Sequence, residues 1–134
     1  VLIDFGSAVS YKDKKVKKIF FSHGFSPLEF YSKDSKQGKF SDVYSVAATI
    51  YYYLSGITPQ SSQERNIKDE IEELRNCNYE ISKLYSYVIM KNLSLNYKKR
   101  FHSIKLLKFF TYLEYFKQKY KHKYTSDNSQ QLNS

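Results

Sequence analysis

Residues 41–56, SDVYSVAATIYYYLSG, constrain this chain more than any other stretch. Val43, Val46, Ala47, Ile50, Tyr51 and Leu54 recur at three- and four-residue steps, the period of a helix with one apolar face. Ser41 stands where an N-cap belongs, and Gly56 followed by Pro59 supplies a stop. Tyr52 and Tyr53 widen the apolar surface, so the pattern predicts a central helix buried on most of its sides. The run IYYY continues that apolar face and reads as core rather than as a platform for stacking nucleic-acid bases.

Other helices follow from the same periodicity. An acidic helix is expected at 62–75 with Ile67, Ile71 and Leu74 on one face. A third fits 80–93 through Ile81, Leu84, Tyr85, Val88 and Ile89. A fourth begins near Ser103 and turns Ile104, Leu107 and Phe110 inward. PLEFYSK suggests a short helix, and SLNYKKR reads as a connection. Val1 to Ile3 read as a short buried strand, and VKKIFF offers another. From Lys117 the apolar pattern decays, so residues 117–134 are expected to form a basic, polar tail without regular structure. Residues 1–116 then make one mainly α domain. At 41% hydrophobic, with 14 Tyr and 10 Phe in 134 residues, the chain has material for one real core.

Several chemistries are excluded. A single cysteine, Cys77, permits no internal disulfide and no cysteine-built zinc site, and it fits a reducing cytoplasm. His23, His102 and His122 lack metal-ligand spacing, and the adjacent Ser22 and His23 do not make a nucleophile–base pair. No apolar run approaches the ~20 residues of a membrane-spanning helix. The net charge of +9 is concentrated: residues 98–124 hold nine Lys and Arg against Glu114 alone, and residues 12–18 hold five Lys against Asp13. Such segments are either solvated faces or surfaces for phosphates, acidic proteins or anionic lipid.

The entrance to the chain is more specific. VLIDFGSA places Asp4-Phe5-Gly6 directly after an apolar run. SHGFSPLEFY, SDVYSVAATIYYYLSG and LSLNYKKRFHS follow in order. In that order and spacing, Val1 to about Phe110 resembles the C-terminal lobe of a eukaryotic-like serine/threonine protein kinase of the bacterial type. GFSPLEFY is similar to that group's glycine-aromatic-x-x-Pro-Glu segment. SDVYSVAATIYYYLSGITPQ is similar to its Asp-x-Tyr-x-x-Gly-Ala-Thr helix, and IMKNLSLNYKKRFHSIKLL to its closing region.

The resemblance implies a role for each matched position. Asp4 would hold the Mg²⁺ that bridges the ATP phosphates, since a hard cation takes carboxylate oxygen. Phe5 would pack behind it, and Gly6 would let the backbone turn there. Residues 7–21 would be the activation segment, and Ser22, His23, Gly24 and Phe25 would receive the substrate peptide. Glu29 would close the segment by pairing with Arg100, and Asp42 would hold the backbone of the catalytic loop. Outside that context each also reads as an ordinary surface charge, with Asp42 a first-turn acid favoured by the helix dipole.

The chain departs from the pattern at Leu28, where the family has Pro, with Pro27 one place earlier, and at Phe21, where it has Gly. The Gly-rich loop, the phosphate-binding Lys and the catalytic loop with its base and metal-binding Asn would lie upstream of Val1. The chain is therefore expected to be a truncated lobe, inactive alone, of a kinase that transfers the ATP γ-phosphoryl group to protein hydroxyls. The other readings are a pseudokinase or helical interaction module, and a small basic nucleic-acid binder, for which no specific recognition motif is present.

Overall fold

Two adjacent alanines, Ala47 and Ala48, are fully buried halfway along helix α1 (Lys39–Ser55). With nothing beyond Cβ, they let neighbouring elements approach the helix axis closely. The computed structural model describes residues 22–131, with side chains through residue 123. A 3-10 turn (Leu28–Tyr31) precedes α1; α2 (Ser62–Ile67), α3 (Leu74–Cys77) and α4 (Lys83–Asn92) follow; a second 3-10 turn (Tyr97–Lys99) leads into α5 (Ile104–Gln131). No strand occurs among the described residues, and the strands expected at Val1–Ile3 and VKKIFF lie outside them. α4 packs along α1, α5 rests on both, and α3 closes the end of the α1–α4 pair. The core is Val43, Tyr44 and Tyr51 of α1, Leu74 of α3, Val88 and Ile89 of α4, Leu93 behind it, and Leu107 of α5.

Local chemistry explains where the helices begin and end, and where the expectations fail. α1 starts at Lys39, so Ser41 lies in its first turn rather than at the cap; its Oγ accepts the Gly38 N–H at 3.3 Å. The stop is at Gly56, whose φ of 72° is the left-handed conformation that closes a helix, with its N–H on the Tyr52 carbonyl at 2.8 Å. α1 is not buried all round. Tyr53 is 84% exposed, and Tyr52 and Val46 stay partly exposed, Tyr52 covered only in part by Phe25 and Val46 opening onto a groove against Ile104 and Leu107 of α5.

The acidic helix expected at 62–75 is two short helices. Ser61 and Glu64 form a capping box that starts α2: Ser61 Oγ accepts the Glu64 N–H, and Glu64 Oε2 accepts the Ser61 N–H. α2 ends after Ile67, which is 89% exposed, not on an inner face. The chain turns extended at Lys68, and Asp69 just beyond it still reaches the Arg65 guanidinium at 2.8 and 3.0 Å. α4 starts at Lys83, with Ser82 as its cap, and leaves Leu84 exposed. α5 continues through residues 117–131, where loss of apolar periodicity predicted no regular structure. Lys and Gln are good helix formers whatever their polarity, and Gln118 ties this stretch to the body through the Glu80 carbonyl at 2.8 Å. Ile104, expected inward, is 41% exposed, whereas Leu107 is buried.

Candidate functional site

Residues 22–31 form a loop and turn pinned to the helical core at both ends. The Ser22 carbonyl accepts N–H groups from Phe25 and Ser26 at 3.0 and 3.1 Å, and Ser26 Oγ accepts the Ser22 N–H at 2.9 Å. This tight turn requires glycine at position 24, whose φ is 79°. A Cβ there would also stand 2.5 Å from the Pro59 carbonyl oxygen. The segment after α1 holds the loop from below. Ser62 Oγ donates to the Ser26 carbonyl at 2.8 Å, Pro27 and Pro59 are fully buried, and Phe25 meets Tyr52 edge-on at 5.9 Å. Ser22 and His23 face solvent.

The other end is held by Glu29 and Arg100, 71 residues apart and both almost completely buried. Arg100 Nη1 and Nη2 meet the two carboxylate oxygens at 2.6 and 3.1 Å, a bidentate pair. Its remaining donors are used as well. Nε reaches the Ser94 carbonyl at 2.7 Å, Nη1 the Phe40 carbonyl at 3.3 Å, and Nη2 the Leu95 carbonyl at 3.1 Å. Glu29 Oε1 also accepts the Ser41 hydroxyl at 2.8 Å. A buried ion pair is tolerable only when its other hydrogen-bonding positions are filled, and no buried side-chain N or O among the described residues lacks a partner.

Tyr44 supports this pair from beneath. The Arg100 guanidinium lies over its ring at 4.7 Å, and Arg65 Nη1 approaches its hydroxyl at 3.4 Å while donating to the Leu93 carbonyl at 2.7 Å. Burial pushes the Tyr44 phenol above its ordinary value, although both arginines oppose that shift. Arg65 is held in turn by Asp69, whose carboxyl the Arg65 hydrogen bond keeps below the usual range. Asn92, fully buried, accepts the Phe101 N–H at 2.8 Å and so fixes the chain next to Arg100.

The structure thus brings Glu29 and Arg100 together and sets Ser22 to Phe25 on the loop they anchor. Asp42 stands apart: it is exposed in the first turn of α1, no group among the described residues hydrogen-bonds it, and desolvation on its inner side raises its carboxyl. Asp4, Phe5, Gly6 and residues 7–21 lie outside the described residues. Nothing in the sequence marks Ser41, Ser62, Tyr44 or Arg65 as functional. The S-x-x-E pattern at 61–64 was a readable signal for the start of α2, but nothing local marks Ser41 as a partner of Glu29.

No family model and no curated protein matches the chain. Among solved structures, PpkA-294 in its apo form, from a bacterial Ser/Thr kinase, is similar at 25% identity with a TM-score of 0.58. The match covers 65% of this chain and 30% of that one. The mainly α architecture is that of a protein-kinase-like C-terminal lobe, and the likeness relates the chain to kinases.

Proposed function

We propose that the chain is part of a serine/threonine protein kinase that transfers the γ-phosphoryl group of ATP to a protein hydroxyl. The observation that carries this reading is the buried, five-bonded Arg100–Glu29 closure. It fastens a surface loop to a helical lobe whose fold is similar to that of PpkA-294. Phosphoryl transfer relies on positioning and electrostatics more than on covalent chemistry by the protein. A peptide-receiving loop therefore has to be rigid, and anchoring both its ends in the core makes it so. Ser22 and His23, exposed on that loop, are the groups a bound peptide would meet.

Among the described residues no cluster of His, Cys, Asp and Glu is suited to a metal. The Mg²⁺ ligand in this reading is Asp4, whose carboxylate is the donor type a hard cation takes. Bound there, Mg²⁺ would neutralise and align the ATP phosphates.

The test is phosphate incorporation from Mg-ATP into a generic protein substrate by the full-length protein that carries this chain, wild type against Asp4→Asn. Activity in the wild type and its loss in Asp4→Asn, with thermal stability in the absence of nucleotide unchanged, are expected. Retained activity in the variant would overturn the role of Asp4. No incorporation by the wild type, despite a folded protein, would favour a non-catalytic interaction module.

A further inference from the structure

α5 carries a second apolar face that stays exposed among the described residues. Its inner side holds Leu107 and Glu114, both buried, with Phe110 partly covered. On the opposite side Leu106, Phe109, Leu113, Phe116 and Tyr120 recur at steps of three and four residues, and all five are 44–66% exposed. At 1.5 Å per residue the stripe is about 21 Å long. Lys105, Lys117 and Lys119, all exposed, flank it. The one acid between residues 104 and 123 is Glu114, and it is turned inward to Ser82 and Gln118. The outer face therefore combines an aromatic-rich apolar stripe with flanking positive charge, of which only Lys117 feels the inward Glu114.

We propose that this face of α5 is a peripheral docking site for a membrane surface rich in anionic phospholipid. A helix lying in the interface buries its apolar side at the boundary of headgroups and acyl chains, while lysine stems extend to the phosphates. Three of the five stripe residues are Phe or Tyr, the side chains suited to that boundary. Exposed Tyr112 and Tyr115 widen the face beyond the narrow seam of a coiled coil. A second copy of the chain is a poor occupant, since it would bring lysines against lysines with no acid available between them. The placement differs from membrane spanning; no helix among the described residues is long and apolar enough for that.

The experiment is co-sedimentation of the full-length protein with vesicles of phosphatidylcholine alone and of phosphatidylcholine with phosphatidylserine. Binding to the anionic vesicles only, weakened by salt, is expected. Phe109→Ser with Phe116→Ser should weaken it about tenfold or more. Lys105→Gln with Lys117→Gln and Lys119→Gln should weaken it at least as much, since each lysine near an anionic surface contributes roughly a fivefold factor. Ile67→Ser, which removes an exposed apolar side chain outside α5, should change nothing. Because Phe109 contacts Phe110, Phe116→Ser alone and Tyr120→Ser serve as milder variants if the double variant fails to fold. Absence of binding to anionic vesicles overturns the proposal. So does binding undiminished by every stripe variant, or self-association through Phe109 and Phe116 in the absence of lipid. Kinase activity does not enter the readout, so its failure and failure of the kinase reading are separable.

Discussion

Arg100 shows how much one side chain can organise. Its five N–H donors meet two carboxylate oxygens and three carbonyls, and its plane lies on Tyr44. Arg100→Ala leaves Glu29 charged, buried and unpaired, so it should destabilise by about 3–5 kcal/mol. The exposed Lys99→Ala should cost roughly 0.5 kcal/mol or less. Arg100→Lys should recover little, because a single ammonium cannot reproduce a planar fork. Denaturant titration of the three variants checks this, and equal midpoints for Arg100→Ala and Lys99→Ala would refute it. Gly24 is the second residue on which the loop depends. Gly24→Ala forces a side chain into left-handed backbone, about 1–3 kcal/mol by itself, and drives Cβ against the Pro59 carbonyl. Faster amide exchange at Phe25 and Ser26, with the α1 amides unchanged, is the expected signature.

Among the elements, α5 relies on polar anchors as much as on Leu107. Burial by itself would raise the Glu114 carboxyl, but the Ser82 hydroxyl, the Gln118 amide and the Ser82 N–H all donate to it and hold it below its ordinary value. A carboxyl depressed in the folded state contributes stability above its unfolded value, and that contribution is lost as pH falls through the folded value. Stability of the wild type should therefore fall below about pH 4.5, the ordinary glutamate value. Glu114→Gln should be less stable than wild type at neutral pH and should lose less on acidification. Urea midpoints for both proteins between neutral pH and pH ~3 test this; parallel curves would mean that Glu114 titrates as it does in the unfolded chain.

At the scale of the whole molecule, the loop anchor and the segment after α1 meet at one phenol. Arg100 touches the Tyr44 ring and Arg65 its hydroxyl, while Arg65 also carries the Leu93 carbonyl and Asp69. Groups sharing a buried partner do not contribute independently. Tyr44→Phe and Arg65→Met should therefore be non-additive, with a coupling of roughly 0.5 kcal/mol or more. Tyr44→Phe with the distant Thr49→Ala should add within error. A double-mutant cycle on unfolding free energies decides it, and additivity in the first pair would separate the two arginine sites.

Sequence determined the elements whose physics is local. The apolar period from Val43 to Leu54 and the left-handed Gly56 specify α1 and its end, because dihedral preference and face periodicity depend only on near neighbours. The ordered motifs of the C-terminal half, with Glu29 and Arg100 far apart in the chain, were legible only as a resemblance. No local signal distinguishes that arginine from Lys98 and Lys99 beside it. Tertiary structure decided the rest. Ser41 became a partner of Glu29 rather than a cap because the 3-10 turn is brought over the start of α1. Past residue 117, α5 is tied to the body where Gln118 reaches the Glu80 carbonyl across the surface. Each of these outcomes depends on a charge or a hydrogen bond finding a partner that only the fold brings within about 3 Å. The residues involved are polar types whose placement no hydrophobic period encodes.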